Sequence, residues 1–189
     1  RQCCERIART AFELAMTRRK HVTIVHKANV LKIGDGMFID VCREVGREFP
    51  EVSIDDVIVD AMMAHVVRAP DRYDVIVTTN MFGDILSDLT AELSGSLGLG
   101  GSLNAGRDYA MGQAAHGSAP DIAGQNIANP ISLILSGAML LNWHGQKPGN
   151  QAFLQAAAAI EATIADTILA KECTRDVGGN LGTREAGAA

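Results

Sequence analysis

Rings and positive charge are scarce in this sequence. Aromatic residues make up 4% of its 189 positions, and the net charge is −5. A protein that grips a phosphate backbone needs a surplus of cations, and one that stacks bases needs rings, so nucleic acid is excluded as a partner. Cysteine is sparse too. Cys3, Cys4, Cys42 and Cys173 show no metal-ligand or redox spacing, and a chain of this length does not need disulfide staples. That usage points to a reducing compartment such as the cytoplasm. No apolar run is long enough for a bilayer: the longest, Ile131 to Leu141, is interrupted by Ser and Gly and reaches about half of the ~20 residues a spanning helix needs. It reads as a buried helix, and no membrane partner is expected. There is no apolar leader and no starting Met; the chain opens directly on a helical pattern and reads as a piece whose N-terminus lies elsewhere. Walker and Gly-x-Gly-x-x-Gly loops are also missing, as are internal repeats and linkers.

What remains is ordinary globular material, 47% hydrophobic and 21% charged, enough to build a core. The rest of the chain is organised around Asn80-Met-Phe-Gly-Asp84-Ile-Leu-Ser-Asp88-Leu, fed by the strand Asp74-Val-Ile-Val-Thr-Thr. The amphipathic run places Asp84 and Asp88 one helical turn apart on one face, where two carboxylates repel by a few tenths of a kcal/mol. A hard divalent cation, Mg²⁺ or Mn²⁺, would offset that repulsion, since such ions take one or two protein carboxylates and fill their other positions with water or substrate. The alternative is that Asp84 serves the helix N-terminus while Asp88 sits in solvent.

Upstream, Ile7, Ala8, Ala11, Leu14 and Ala15 recur at helical spacing. Val22 to His26 is a β-branched strand with Lys27 and Asn29 at its tip, a common address for functional groups in α/β folds. Met37, Val41, Cys42 and Val45 stripe a second helix, Val52 to Val59 reads as a strand ending at Asp60, and Met62, Met63, Val66 and Val67 mark a third helix. Alternation of helix and strand argues an α/β sheet, with Asp60 and Asp84 at strand-to-helix junctions. From Gly95 to Met111 the chain is glycine-rich and reads as a long connection. It delivers His116-Gly-Ser-Ala-Pro-Asp121 and then Ile122-Ala-Gly-Gln-Asn-Ile-Ala-Asn129-Pro130, small residues that let backbone N–H groups approach a ligand. Pro130 begins an apolar helix to Trp143. Asn150 to Ala170, with Ile160, Ile164 and Leu169 in phase, makes a long last helix before closing loops at Asp176 and Leu181 to Thr183.

Lys27-Ala-Asn-Val-Leu, Val59-Asp60, the Asn80 to Asp88 stretch, and His116-Gly-Ser-Ala-Pro-Asp with Asn129-Pro downstream stand in the order and spacing of the β-decarboxylating dehydrogenases, the isocitrate, 3-isopropylmalate, homoisocitrate and tartrate or D-malate enzymes. The resemblance runs from Arg1 to about Thr183 and corresponds to the C-terminal half to three-fifths of such an enzyme. It implies oxidation of a 2-hydroxy acid by a nicotinamide dinucleotide followed by loss of the β-carboxylate. On this resemblance Asp84 and Asp88 hold Mg²⁺ or Mn²⁺, and Asp60 reaches the same metal and the substrate across a dimer. Lys27 is the catalytic lysine, also given across the dimer, and Asn29 lies beside substrate and nicotinamide. The adenosine side of the cofactor falls to His116, Gly117, Ser118, Ala119, Pro120, Asp121, Ile122, Ala123 and Asn129. Asp121 takes the place where NAD-using members bind the ribose; its charge would repel a 2′-phosphate, so NAD is expected over NADP.

The departures from the family pattern are specific. Gln113 stands where members often carry Glu. Leu31 to Phe38 looks more like the isocitrate and homoisocitrate enzymes, while Ser118 to Ala123 looks more like the isopropylmalate and tartrate side. The arginines that clamp the substrate carboxylates and the tyrosine that protonates the enolate have no counterpart in the chain. The isolated chain is therefore expected to hold the metal, half the cofactor site and the donated Lys27 without turning over. The alternative is a non-catalytic regulatory subunit or truncated dimerisation module of the same family, which would have no use for the full set of Lys27, Asp60, Asp84 and Asp88. The expected fold is α/β, two-lobed, with a mixed sheet and incomplete at the N-terminus. Residues 1–93 belong mainly to the smaller dimer-forming lobe and 94–189 to the cofactor-side lobe, and the active species is a homodimer or higher with the site shared between subunits.

Overall fold

The computed structural model describes all of residues 1–189 and divides into two compact units, Arg1–Leu89 and Thr90–Ala189. The first is built as α1 (Gln2–Met16), β1 (His21–His26), α2 (Gly34–Gly46), β2 (Ser53–Ile58), α3 (Val59–Arg68), β3 (Val75–Thr78) and α4, which runs from Asn80 to Leu93 and crosses the division. The three strands form a parallel sheet in the order β2-β1-β3. Central β1 is almost wholly buried because both of its faces are covered, which is why β-branched residues, Val22 to Val25, fill consecutive positions. On one face Val22 and Ile24 meet Phe12 of α1 and Phe38 and Cys42 of α2; on the other, Val25 meets Met62 and Val66 of α3 and Phe82 and Leu86 of α4. Helices on both faces of a parallel sheet make the α/β architecture.

The helical stripes differ in phase from those expected. In α1 the buried arc is Ala8, Ala11, Phe12 and Ala15, whereas Ile7 and Leu14 face solvent. Three alanines let the helix approach the sheet closely, and Phe12 fills the space they leave. In α2, Phe38 and Ile39 are buried and Met37 is exposed. Asp74, just before β3, is almost fully buried and carries the ends of the sheet: it accepts from Arg18 Nε and from the backbone N–H of Arg19, each at 2.8 Å.

The second unit contains β4 (Gly101–Ala105), β5 (Ala110–Ala114), α5 (Ile131–Gly145), α6 (Gln151–Leu169) and the short α7 (Thr183–Ala186). The glycine-rich stretch expected to be a connection is largely the antiparallel hairpin β4–β5. The apolar alternation that marks most strands is absent here because helix α5 lies too close for side chains: a Cβ on Gly112 would stand 2.7 Å from the carbonyl oxygen of Ser136. Two buried serines of α5 bind the hairpin's free backbone groups, Ser136 Oγ accepting from Ser102 N–H at 3.0 Å and Ser132 Oγ from Ala115 N–H at 3.1 Å. Parallel and antiparallel ladders therefore occupy two separate sheets within the chain. Contrary to the expectation from apolar runs, helix α6 is by length and composition apolar enough to cross a bilayer; it lies along α5 with Ala157 buried, Ile160 and Ile164 half-buried and most of its other residues exposed.

Candidate active site and cofactor cavity

Parallel pairing brings the carboxyl ends of the three strands to one side of the sheet, with His26 opposite Ile58 and Val25 opposite Thr78. Ligands of open α/β sheets gather at that edge. The residue following β1 is Lys27, and the second residue of α3 is Asp60; Lys27 Nζ donates to Asp60 Oδ1. Two side chains that the sequence places far apart thus meet within one chain. The hydrogen bond from Lys27, with one from Asp60's own backbone N–H, holds the Asp60 carboxyl below its ordinary range. Asp60 is exposed, so the pair adds little to stability. Its consequence is placement: Lys27 and Asp60 are presented together. Asn29 is exposed at the same strand tip.

The turn that carries Lys27 is held by groups that sequence reading missed. Buried Asp35, in the first turn of α2, accepts the Lys27 N–H through Oδ2 at 2.6 Å. His26 Nδ1 accepts the Ala28 N–H at 3.1 Å, which leaves its proton on Nε2, and that nitrogen lies 3.1 Å from Asp56 Oδ2. Arg43 of α2 binds the other oxygen of Asp56. Burial raises the Asp56 carboxyl, but its hydrogen bonds to His26 and Arg43 outweigh this and hold it below the usual range. The signal available in sequence was only the position of Asp35 in a Gly-Asp-Gly helix start.

Helix α4 begins at Asn80, so Asp84 lies one turn inside the helix rather than at the strand-to-helix junction. Asp84 and Asp88 are both exposed and have neither a hydrogen bond nor an ion pair to their carboxylates. No set of three or more His, Cys, Asp or Glu side chains gathers within the chain. Two free carboxylates one turn apart fit part of the oxygen donor set of Mg²⁺ or Mn²⁺, with the other positions filled from outside the chain.

In the second unit a cavity of about 880 Å³ opens between the His116–Asn129 loop and the C-terminal segment. Ser132, by anchoring Ala115, fixes the root of that loop. His116, Gly117, Ser118, Ala119, Ile122, Ala123 and Asn129 line the cavity as expected of a ligand loop, and Ala119 adopts a left-handed φ of 40°. Pro120 and Asp121 do not line it. They open the 3-10 turn Pro120–Ile122 and are exposed, the carbonyl of Asp121 accepting from Gln125 Nε2 at 2.7 Å. Asp121, expected at a ribose, thus lies outside the lining of this cavity.

The cavity also uses residues from the stretch that read as closing loops. Asp176 lines it and accepts from Ser96 Oγ at 2.5 Å, Thr174 Oγ1 at 2.6 Å and Asn129 Nδ2 at 2.8 Å. Burial raises the Asp176 carboxyl; these three hydrogen bonds override it and keep the group below its ordinary range. Asn129 Oδ1 in turn accepts the Ile131 N–H at 2.9 Å, so its amide plane is fixed from both ends. Arg175 and Arg184 supply the cavity's cationic side chains.

The family model described as isocitrate/isopropylmalate dehydrogenase matches residues 1–189. The chain belongs to the isocitrate/isopropylmalate dehydrogenase family. It is 48% identical over 186 residues to the 3-isopropylmalate dehydrogenase of Archaeoglobus fulgidus, covering 98% of this chain and 55% of that protein. Over 185 residues it is 46% identical to the isocitrate/homoisocitrate dehydrogenase of Thermus thermophilus, covering 97% and 53%. The crystal structure of isocitrate dehydrogenase from Methylococcus capsulatus superposes with a TM-score of 0.90 at 45% identity, covering 98% of this chain and 54% of that one. The chain thus spans about half the length of the curated relatives it matches. The match is to oxidoreductases, and relatives named for NAD and for NADP both occur.

Proposed function

We propose that this chain is the metal- and cofactor-binding part of an NAD-dependent enzyme that oxidatively decarboxylates a 2-hydroxy acid of the 3-isopropylmalate or isocitrate type. The observation that carries the reading is the Lys27–Asp60 pair at the carboxyl ends of the parallel sheet, with Asp84 and Asp88 exposed on the helix that follows β3 of the same sheet. Asp84 and Asp88 would hold Mg²⁺ or Mn²⁺, with Asp60 supplied across a homodimer or higher assembly in which the site is shared. A cation held there would supply Lewis-acid chemistry, lowering the pKa of a substrate hydroxyl and stabilising the negative charge left when carbon dioxide departs. Lys27 handles the proton at that hydroxyl oxygen, and Asp60 holds the ammonium in place until substrate arrives. Asp35 and His26 fix the backbone from which Lys27 projects, so the base does not need to be ordered at the moment of reaction.

The cavity of the second unit would take the adenosine half of the dinucleotide, with Asn129 oriented by Asp176 to read the base. NAD is the proposed cofactor, on the likeness of the Ser118 to Ala123 segment to NAD-using members. Arg175 and Arg184 line the cavity while Asp121 does not, so the test runs NAD and NADP side by side. The experiment is Mg²⁺- or Mn²⁺-dependent dinucleotide reduction by the complete polypeptide encoded around this sequence, against isocitrate, 3-isopropylmalate, homoisocitrate, D-malate and tartrate. Turnover with one acid, abolished in Asp84→Asn, supports the reading. Binding of metal and dinucleotide with no turnover on any of them overturns it.

A further inference from the structure

The wall of the adenosine cavity is made from two segments far apart in sequence, the loop around Asn126 and the segment entering α7, and one side chain joins them. Asn126 Nδ2 donates to Glu185 Oε2 at 2.9 Å, and Asn126 Oδ1 accepts the Arg184 N–H at 3.1 Å. Its backbone carbonyl accepts the Thr183 N–H at 3.0 Å, while Thr183 Oγ1 donates to the carbonyl of Ala128 at 2.5 Å. Asn126 holds a left-handed φ of 56°, a conformation that asparagine tolerates better than most residues. Gly182 is required by the same join: a Cβ there would stand 2.7 Å from the Asn126 carbonyl oxygen and still closer to Asn126 Nδ2. Asn126, Ala128, Gly182, Thr183 and Arg184 all line the cavity, so these hydrogen bonds close its wall.

We infer that Asn126 and Glu185 are positioning residues for the dinucleotide: their side-chain pair latches the C-terminal segment onto the cofactor loop, and the closed latch sets cofactor affinity. The inference rests on the assignment of this cavity to the adenosine half of the cofactor. The Asn126 amide is held by the chain from both ends, Nδ2 by Glu185 and Oδ1 by the Arg184 N–H, so the role inferred for it is to set the geometry of the wall. The hydrogen bond from Asn126 also holds the Glu185 carboxyl below its ordinary range, as expected of a carboxylate acceptor.

The test uses dissociation constants for NAD and NADP, measured calorimetrically on the complete polypeptide, and exploits the direction of the hydrogen bond. Asn126→Asp places a carboxylate against the Glu185 carboxylate and removes the donor; binding is expected to weaken about tenfold, the size of a lost hydrogen bond to a charged group. Glu185→Gln keeps an acceptor for Asn126 and retains affinity. Combining the two restores a donor and acceptor in reversed roles, and binding is expected to return to within about threefold of the starting protein. Rescue by the double variant is a result that general loss of folding cannot produce. If Asn126→Asp does not fold, Glu185→Ala at the exposed chain end carries the test, with an expected loss of about threefold. Unchanged affinity in either single disruption, or a double variant as weak as Asn126→Asp, overturns the latch. A starting protein that binds neither dinucleotide overturns instead the cofactor assignment beneath it.

Discussion

Replacing Asp35 by alanine separates what holds the Lys27 turn from what Lys27 does. The carboxylate is buried and accepts the Lys27 N–H at 2.6 Å, so the change deletes a charge-assisted hydrogen bond and leaves a partly buried backbone donor without a partner. Such a loss costs about 1.5–3 kcal/mol. Asp35 also lies in the first turn of α2, where a negative charge is worth about 0.3–1 kcal/mol against the helix dipole. The sum is roughly 2–4 kcal/mol of unfolding free energy, read from the urea midpoint at constant slope. Asp35→Asn keeps an oxygen acceptor and loses only the charge, so its cost should be about half as large. In the complete enzyme, Asp35→Ala should lower kcat more than it raises the KM for the hydroxy acid, because the displaced group is the proposed base. A loss below about 0.5 kcal/mol, or equal costs for the alanine and asparagine variants, would refute the reasoning.

Gly112→Ala should destabilise the second unit by about 1–3 kcal/mol, since the new methyl meets the α5 backbone at Ser136 rather than a side chain that can swing away; urea or thermal unfolding reads it. Acid unfolding tests Asp74. Burial alone would raise its carboxyl, but Arg18 and the backbone N–H groups of Arg19 and His21 hold it below the ordinary value of 3.8. A depressed carboxylate adds stability that is fully present above 3.8 and is lost as pH falls through the lower folded value, so Asp74→Asn should be less stable than the parent at neutral pH and lose that difference below pH 3.8. Asp88→Asn should weaken Mn²⁺ binding by about tenfold or more, measured by paramagnetic titration of the complete protein, while leaving the thermal midpoint without metal unchanged or slightly raised by the relieved repulsion with Asp84.

The strand tips were legible because everything that defines them is local. A β-branched run fixes β1, and Lys27 and Asn29 must then sit at its end; the same holds for Asp60 after β2. The hairpin β4–β5 was not legible, because its glycines and alanines answer to α5, which comes later in the chain. Phe12 was missed for a related reason. Leu14 lies on an adjacent helical arc of equal hydrophobicity, and only the sheet beneath decides which arc is buried. Seven of the nine residues that the resemblance assigned to the adenosine side line the cavity, while Pro120 and Asp121 fall outside it because the left-handed Ala119 starts a 3-10 turn that backbone geometry sets. Asp176 and Glu185 stayed hidden because each acts on a partner more than forty residues away.

These differences follow from what each charged group is paired with. Asp35, Asp56, Asp74 and Asp176 are satisfied by the chain's own donors, and a carboxylate that serves the fold leaves no local pattern, since its partner can be anywhere. Asp84 and Asp88 have no such partner in the folded chain and repel each other. A sequence shaped by stability alone would gain by neutralising one of them, as a lysine at either position would turn the repulsion into an attractive pair across one turn. The two groups that cost the fold something are the two that the sequence displays most openly. Under the proposed function a cation held at the helix face would offset that cost, which makes metal affinity, rather than any feature of the fold, the property on which that proposal turns.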